Sequence, residues 1–348
     1  MRFFAIAFGL KRGAAVSVIV IRVLSINNAG IQLRRVEFAV TYQCNSRCRH
    51  CYTLEKRNRF KGHLDPETGP AIVKELAAKY PLDSVMTFGG EPMLYPDITA
   101  DIHRQAKDCG IPSRELITNG FWARDETRIA EIAGILAAAG VNEVVFSVDV
   151  FHQEHILVEK VKQSITACSN AGMENLFLNP CWVMGENYSN PFNIQTRAVL
   201  DSFHGFDVEI SEGNIIEPLG LAATHLREYL PERHRIPRGR CMDVPYTDSL
   251  DAISGICIEP DGMVAVCNDL YIGNSSDENI IEIIKKYNPY SVPELRAILE
   301  GGVEGLVEFA RSQGVDPEES GYYSICDCCI DIRRKLGEMG SRSYRSRL

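Results

Sequence analysis

The sequence predicts an α/β protein: a partial (β/α)6 barrel of the TIM type with a cysteine-rich C-terminal extension. Strand-like and helix-like segments alternate from residue 35 to about 220, the order that builds parallel sheets from βαβ units. Six such units suit a partial barrel better than a small open sheet. After residue 225 the pattern changes to a hairpin, two helical stretches and a run of cysteines. A chain of 348 residues, 45% apolar and 24% charged, has the ordinary globular balance. It buries a core without disulfide staples.

The elements run in order. VEFAVTY (36–42) is β-branched and aromatic and ends at a cysteine-rich loop. Residues 66–81 have helical spacing at Ile72, Leu76 and Ala77. DSVMTFGG (83–90) is a strand running into glycines, and a helix is expected over 96–109. ELITNG (115–120) is the third strand; residues 124–140 form a helix closed by Gly140 as its C-terminal cap. VNEVVFSVD (141–149) is the fourth strand, with a helix over 154–171. Strands five and six are expected over 174–184 and 207–220, with a helix over 193–204 between them. Residues 233–241 read as a basic linker, and ICIEPDGMVAVC (256–267) as a hairpin turning at Pro260-Asp261-Gly262. Helices over 278–287 and 293–313 precede SICDCC at 324–329. The division is an N-terminal extension (1–34), a barrel (35–225), a second unit (226–335) and a basic tail (336–348) that is expected to be disordered.

The N-terminal apolar runs are broken by Lys11, Arg12 and Arg22, so residues 1–30 read as a loose extension rather than a signal peptide or membrane span. A net charge of −9 disfavours a general nucleic-acid binder. A cytoplasmic location is expected, without membrane or nucleic-acid partners. In that compartment the 12 cysteines read as metal or catalytic sites rather than disulfides.

Cys44-x3-Cys48-x2-Cys51 is the sharpest signal. Three thiolates within eight residues can wrap one soft metal centre. Structural zinc needs a fourth ligand, and His50 is the one local candidate, poorly placed between Arg49 and Cys51. An iron–sulfur cubane held by three cysteines leaves one iron open. CNSRCRHC followed by FGGEP resembles the radical SAM superfamily, whose signature is CxxxCxxC after the first barrel strand and a GGE-type motif after the second. The resemblance covers residues 36 to about 220. It implies that Cys44, Cys48 and Cys51 hold a [4Fe–4S] cluster whose open iron takes S-adenosylmethionine (SAM), which is then cleaved to a 5′-deoxyadenosyl radical. It further implies that Gly89 and Gly90 let the backbone approach the cofactor and that the Glu91 carboxylate meets its ammonium group. His50 holds the place of the aromatic that lies against adenine, and Asn119, Ser147 and Asp149 match cavity-lining positions. Strand-end capping and turn roles remain open for these last three.

The C-terminal cysteines on a PDG hairpin resemble the SPASM/twitch extensions of radical SAM enzymes, which implies one auxiliary [4Fe–4S] cluster held by Cys241, Cys267, Cys326 and Cys329. Cys328 competes with its neighbour Cys329, and a structural zinc at the same thiolates is the alternative. Cys257, between Ile256 and Ile258, reads as a buried apolar cysteine, as do Cys109 and Cys168. Cys181 is the candidate for a thiol that quenches a substrate radical, against a buried structural role. The run Lys56-Arg57-Asn58-Arg59 could meet an acidic substrate or be a solvated loop.

A looser likeness to radical SAM peptide epimerases rests on TNGFW, SVDVFHQEH and the SICDCC ending. It departs where those enzymes carry a second cysteine after the hairpin ligand; here that residue is Asn268. The expected activity is hydrogen abstraction from a ribosomally made peptide (epimerisation, crosslink or oxidation), with a flavodoxin- or ferredoxin-type reductant. The alternatives are a small-molecule or cofactor-maturation enzyme with the same core, and a non-catalytic zinc or iron–sulfur protein.

Overall fold

Parallel pairing is what the alternating segments produce. The computed structural model describes residues 30–245 and 247–339; the N-terminal extension before Gly30 and the basic tail from 340 onward lie outside the described residues. In chain order the elements are β1 (Gly30–Thr41), α1 (Leu54–Arg59), α2 (Thr68–Ala77), β2 (Ser84–Gly89), α3 (Pro96–Asp108), β3 (Ser113–Thr118), α4 (Glu126–Ala139), β4 (Glu143–Ser147), α5 (Val150–Gln153) and α6 (Val158–Asn170). Then come β5 (Asn175–Asn179), β6 (Cys181–Trp182), α7 (Pro191–Asp201), β7 (Glu209–Ile210), β8 (Asn214–Ile215) and α8 (Leu221–His225). The chain continues through β9 (Ala252–Ile258), β10 (Met263–Cys267), β11 (Leu270–Asn274), α9 (Ile280–Lys286), α10 (Pro293–Ser312) and α11 (Ile325–Met339).

The main sheet has nine strands in the order β11-β10-β9-β1-β2-β3-β4-β5-β7. Strands β1 to β5 and β7 pair in parallel, which gives the six expected barrel strands. Each central strand is buried on both faces, as parallel strands covered by helices must be. The period of two sends Val144 and Phe146 outward against α4 and α6, while Val145 joins Met86, Phe88, Ile117 and Phe177 inside. At the N-terminal ends of the strands the Arg35 guanidinium bonds Glu37 at 2.6 Å and Glu115 at 2.7 Å, closing that end of the barrel.

Several expectations change in detail. The helix expected over 154–171 begins only at Val158, and a separate short helix precedes it at Val150–Gln153, capped by the Asp149 carboxylate, which accepts from the amides of Phe151 and His152. Strand five stops at Pro180, which has no N–H to donate. Beyond it β6 pairs with β8 in a separate two-stranded ladder. Strand six is likewise broken between β7 and β8, where Gly213 has a φ of 74°. SICDCC, read only as a run of cysteines, opens the 15-residue helix α11. The hairpin turns at the expected place, but β9 pairs in parallel with β1 and so extends the barrel sheet across the boundary drawn at 225/226. One hydrophobic cluster accordingly joins Val36 and Phe38 to Ile256, Ile283 and Leu295.

Candidate active site

The C-terminal ends of the barrel strands surround a cavity of about 940 Å³. Cys44, Cys48 and Cys51 all line it, on the loop that leaves β1. Short local bonds shape this loop. The Cys51 amide donates to the Cys48 carbonyl at 3.0 Å, the Ser46 amide donates to Cys44 Sγ at 3.3 Å, and Ser46 Oγ lies 3.0 Å from Cys48 Sγ. The Leu221 amide holds the Cys51 carbonyl at 3.0 Å and so ties the loop to α8. Burial pushes the Cys44 thiol up to about 12, so a metal centre binding there displaces its proton.

Gly89 and Gly90 line the cavity too, but their lack of a side chain serves the packing of two loops. A Cβ on Gly89, whose φ is 134°, would sit 2.3 Å from the Thr41 carbonyl oxygen; one on Gly90 would sit 2.2 Å from that of Gln43. Their amides complete the contact, Gly90 donating to Thr41 and Glu91 to Gln43. The cavity wall after β2 is thus backbone laid on backbone.

Glu91 corrects an expectation. Its side chain is fully buried and is not part of the cavity lining. The carboxylate accepts from Thr118 Oγ1 at 2.7 Å, the Asn119 amide at 2.8 Å and the Met93 amide at 3.0 Å. It therefore holds the loop after β3 in place instead of reaching a ligand. Burial raises its pKa to about 7 against the lowering effect of those donors. Asp149 differs in the same way: it is fully buried and capped into α5. It also accepts from the Cys181 amide at 3.1 Å and pairs with His152 Nδ1 at 2.9 Å. Burial alone would raise its pKa, but His152 holds it below the usual carboxylate range.

The remaining expected cofactor contacts, His50, Asn119 and Ser147, do line the cavity. Asn119 donates to Asn45 Oδ1 at 2.7 Å and lies 3.7 Å from Cys44 Sγ. His50 packs 5.0 Å from the rings of Phe151 and His152, and its buried Nδ1 has no hydrogen-bond partner. Burial lowers its pKa to about 4, which leaves the ring neutral. A neutral ring with an orphaned nitrogen on a cavity wall fits a planar, hydrogen-bonding ligand.

Sequence reasoning missed His152, which lines the cavity beside Cys48. Burial would lower its pKa, but Asp149 and Cys48 raise it well above the ordinary value. The signal was present as an Asp-x-x-His pair at a helix start. The outer wall was missed as well: Trp182, Glu186, Glu212, Asn214 and Glu217, from the β6–β8 ladder and its flanks. Cys181 lies in this wall, buried, with its thiol pushed up by burial.

The second cysteine group forms where the hairpin meets α11. Cys241 feels the charges of Cys329 and Cys267, while Cys326 feels those of Cys267, Glu217 and Cys329. Cys328 is fully buried, with Cys329, Asp327, Asp331 and Lys335 as its electrostatic neighbours, and Cys257 is buried beside Glu259 and Glu37. Arg333 donates to the carbonyls of Asn268 at 2.8 Å and Asp269 at 3.0 Å, and to Cys329 Sγ at 3.4 Å. Cys168 is fully buried, and Cys109 packs at the edge of the core.

One set of three His, Cys, Asp or Glu donors lies within 4.8 Å of one another among the described residues, and it is His50, Asp149 and Cys181. No three cysteine sulfurs among the described residues are that close. A tetrahedral zinc with Zn–S bonds of about 2.3 Å would need its sulfurs roughly 3.8 Å apart. No three sulfurs of either cysteine group, among the described residues, sit at that spacing.

The basic run after the cluster loop is split: Arg57 and Asn58 line the cavity, whereas Lys56 is ion-paired. Lys56 Nζ lies 2.5 Å from Glu259 and 3.2 Å from Asp269, nearly buried, and Arg57 donates to the Ser46 carbonyl at 3.2 Å.

Comparison with known proteins agrees with this geometry. Residues 38–191 match the model of the Radical SAM superfamily. This segment is a radical SAM domain. The GTP 3′,8-cyclase of Moorella thermoacetica is 25% identical over 209 residues, covering 58% of this chain and 61% of that protein. The GTP 3′,8-cyclase of Aquifex aeolicus is 32% identical over 106 residues, covering 30% of this chain and 33% of that protein. The chain thus spans less than two thirds of these relatives. A solved structure described as anSMEcpe with bound AdoMet aligns over 88% of this chain and 96% of that one, at 13% identity and a TM-score of 0.48. Among the described residues no helix is long and apolar enough to cross a membrane.

Proposed function

We propose that the protein is a radical SAM enzyme in which Cys44, Cys48 and Cys51 hold a [4Fe–4S] cluster and the cavity above them receives SAM and a substrate. The supporting observation is that all three cysteines of one loop, the glycine wall after β2 and His50 line the same cavity of about 940 Å³ at the strand ends. When bound, the cluster supplies the electron that splits SAM and produces the radical that takes a hydrogen atom from the substrate. The chain's residues do the positioning: the His50 ring, backed by the buried Phe151, offers a surface for adenine, and Asn119 and Ser147 offer polar contacts. Glu91 and Asp149 act from behind, fixing the loops that carry Asn119 and His152.

Cys241, Cys267, Cys326 and Cys329 are proposed as ligands of one auxiliary cluster in a SPASM-like extension, supported by their being electrostatic neighbours of one another. Electrons come from a flavodoxin- or ferredoxin-type donor. The substrate is a peptide or a small molecule. The second reading draws support from the relatives named GTP 3′,8-cyclase. Cys181, a buried thiol that lines the cavity, is proposed as the group that returns a hydrogen atom to a substrate radical. The sulfur radical left behind would take one electron and one proton, the electron coming from the same donor.

Anaerobic purification tests this reading. The expected result is about eight irons per chain and SAM-dependent release of 5′-deoxyadenosine. Stoichiometric zinc without SAM cleavage would overturn it in favour of a metal scaffold.

A further inference from the structure

Each of the three sulfurs on the cluster loop lies against a neutral, buried hydrogen-bonding side chain. Asn119 Nδ2 is 3.7 Å from Cys44 Sγ, Ser46 Oγ is 3.0 Å from Cys48 Sγ, and Thr53 Oγ1 is 3.2 Å from Cys51 Sγ. Asn119, Ser46 and Thr53 are all buried, so water competes poorly for these contacts. Ser46 and Thr53 belong to the loop between β1 and α1, whereas Asn119 reaches in from the loop after β3.

The direction of each bond follows from the chemistry. A thiol beside a hydroxyl can donate or accept, but a cysteine that ligates a metal is a thiolate with no proton left. Ser46 Oγ and Thr53 Oγ1 then have to donate. At Asn119 the surrounding bonds fix the orientation of the amide. Its Oδ1 accepts from the Phe121 amide at 2.9 Å, which turns Nδ2 toward Asn45 Oδ1 at 2.7 Å and toward Cys44 Sγ. The two hydrogens on Nδ2 serve these two acceptors. Asn45 is fixed in turn, its Nδ2 donating to the Phe121 carbonyl at 2.9 Å. Two of the sulfurs have a further partner: the Ser46 amide donates to Cys44 at 3.3 Å, and His152 stands beside Cys48. Cys51 has Thr53 as its hydrogen-bonding side chain among the described residues.

We infer that Asn119, Ser46 and Thr53 act as positioning residues that donate one side-chain hydrogen bond to each ligand sulfur and thereby raise the reduction potential of the bound cluster. This deepens the radical SAM reading and rests on it. Reduction adds one negative charge, part of which spreads onto the sulfurs. An N–H or O–H dipole aimed at a sulfur stabilises that state more than the oxidised one. The effect is stronger in a buried site than in water. The electron comes from the flavodoxin- or ferredoxin-type donor, and no covalent bond is made or broken in the step. A higher potential makes the transfer from such a donor easier.

The test uses full-length, cluster-loaded protein under anaerobic conditions and follows the paramagnetic resonance of the reduced protein during a redox titration. The signal that changes on adding SAM identifies the cluster on Cys44, Cys48 and Cys51. Should no signal change, the radical SAM reading itself fails. With that signal in hand, Thr53→Val keeps the shape of the side chain and removes its hydroxyl. At a fixed potential it is expected to lower the ratio of reduced to oxidised cluster about ten-fold, a midpoint shift of about 59 mV for one electron. Thr53→Ser keeps the hydroxyl and should stay within about two-fold of wild type. Ser46→Ala and Asn119→Leu should each lower the ratio about three-fold, because Cys48 keeps His152 and Cys44 keeps the Ser46 amide. A signal that SAM leaves unchanged should hold its midpoint in every variant. Thr53→Val within two-fold of wild type, with iron content and SAM response intact, overturns the inference, and so does an equal shift in Thr53→Ser. Should Thr53→Val lose its iron, Ser46→Ala and Asn119→Leu decide by the same criterion. If all three lose iron, reduced wild-type protein exchanged into D2O decides by electron–nuclear double resonance: at least three exchangeable-proton couplings are expected, and fewer overturn the inference.

Discussion

Cys44, Cys48 and Cys51 lie within eight residues on one loop, whereas Cys241, Cys267, Cys326 and Cys329 come from a turn, a strand end and a helix. The first group is positioned by its own neighbours: Ser46 contacts two of its sulfurs, and the Cys51 amide closes back on Cys48. The second has little local support. It depends on β9 joining β1, on β10 delivering Cys267 to α11, and on Arg333 bridging the hairpin carbonyls to Cys329. A local site needs only its spacing and one strand end; a distributed site needs the tertiary structure to be complete. The two groups should therefore respond differently to the same kinds of damage.

The sharpest way to break the comparison is to remove each set of thiols. Replacing Cys44, Cys48 and Cys51 with Ala should abolish 5′-deoxyadenosine formation and leave about half the iron, as measured by iron analysis and product chromatography. Replacing Cys267 and Cys326 should also lose about half the iron, yet retain SAM cleavage while product formation stops. SAM cleavage surviving the first set would refute the local ligand assignment.

Next in size is Gly90→Ala. The new methyl would meet the Gln43 carbonyl at 2.2 Å, a backbone contact that cannot swing aside. A loss of about 3 kcal/mol or more is expected, read as a lowered denaturant midpoint, with iron lost from the local group first. Arg333→Met acts on the distributed group instead. It leaves the carbonyls of Asn268 and Asp269 without their donor and removes the positive charge beside Cys329. The expected cost is about 2 kcal/mol, with preferential iron loss from the C-terminal cysteines. Equal loss from both groups would mean that they are not separately supported.

The smallest effect is a control at the far end of the barrel. Glu143 sits at the start of β4 with one buried oxygen lacking a partner. Burial and Glu115 raise its pKa to about 8, against the pull of Arg35. A carboxyl whose folded pKa exceeds its unfolded value of about 4.5 contributes stability that is full below pH 4.5 and is lost as pH rises through about 8. Glu143→Gln should therefore flatten the fall in stability between those values, by on the order of 1–2 kcal/mol at pH 9. Iron content should not change, because this end of the barrel touches neither cysteine group.

How much was legible in the chain depends on range. The first five parallel strands could be read because their central residues are buried on both faces and carry apolar runs, as in Val144–Phe146, whereas the sixth, Glu209–Ile210, is exposed. The breaks at Pro180 and Gly213 were harder, since both segments kept strand-like composition on either side of the interruption. Helix α11 was hidden because its first turn, ICDC, reads as a ligand run, and its apolar face emerges only further on, with Cys328 and Ile332 fully buried. At the site, Glu91 was expected to meet a ligand and instead bonds the next loop, whereas the capping role left open for Asp149 is the one it takes. A carboxylate at the end of a strand can bind a ligand or the backbone amides of the next loop, and its position in the sequence does not distinguish the two. His152 and the acidic outer wall escaped for the same reason: nothing local marks them as sharing a cavity with Cys48.

The amino-acid sequence alone determined the alternating barrel strands, the three-thiolate loop and the radical SAM resemblance, because periodicity and short spacing are properties of neighbouring residues. Only the tertiary structure decided that the hairpin extends the barrel sheet, that Cys329 lies near Cys241, Cys267 and Cys326, and that Glu217 and Asn214 line the cavity. Those outcomes depend on which side chains become buried together. Burial is a sum over segments far apart in the chain, so it exists only once the strands have paired and the helices have closed over them.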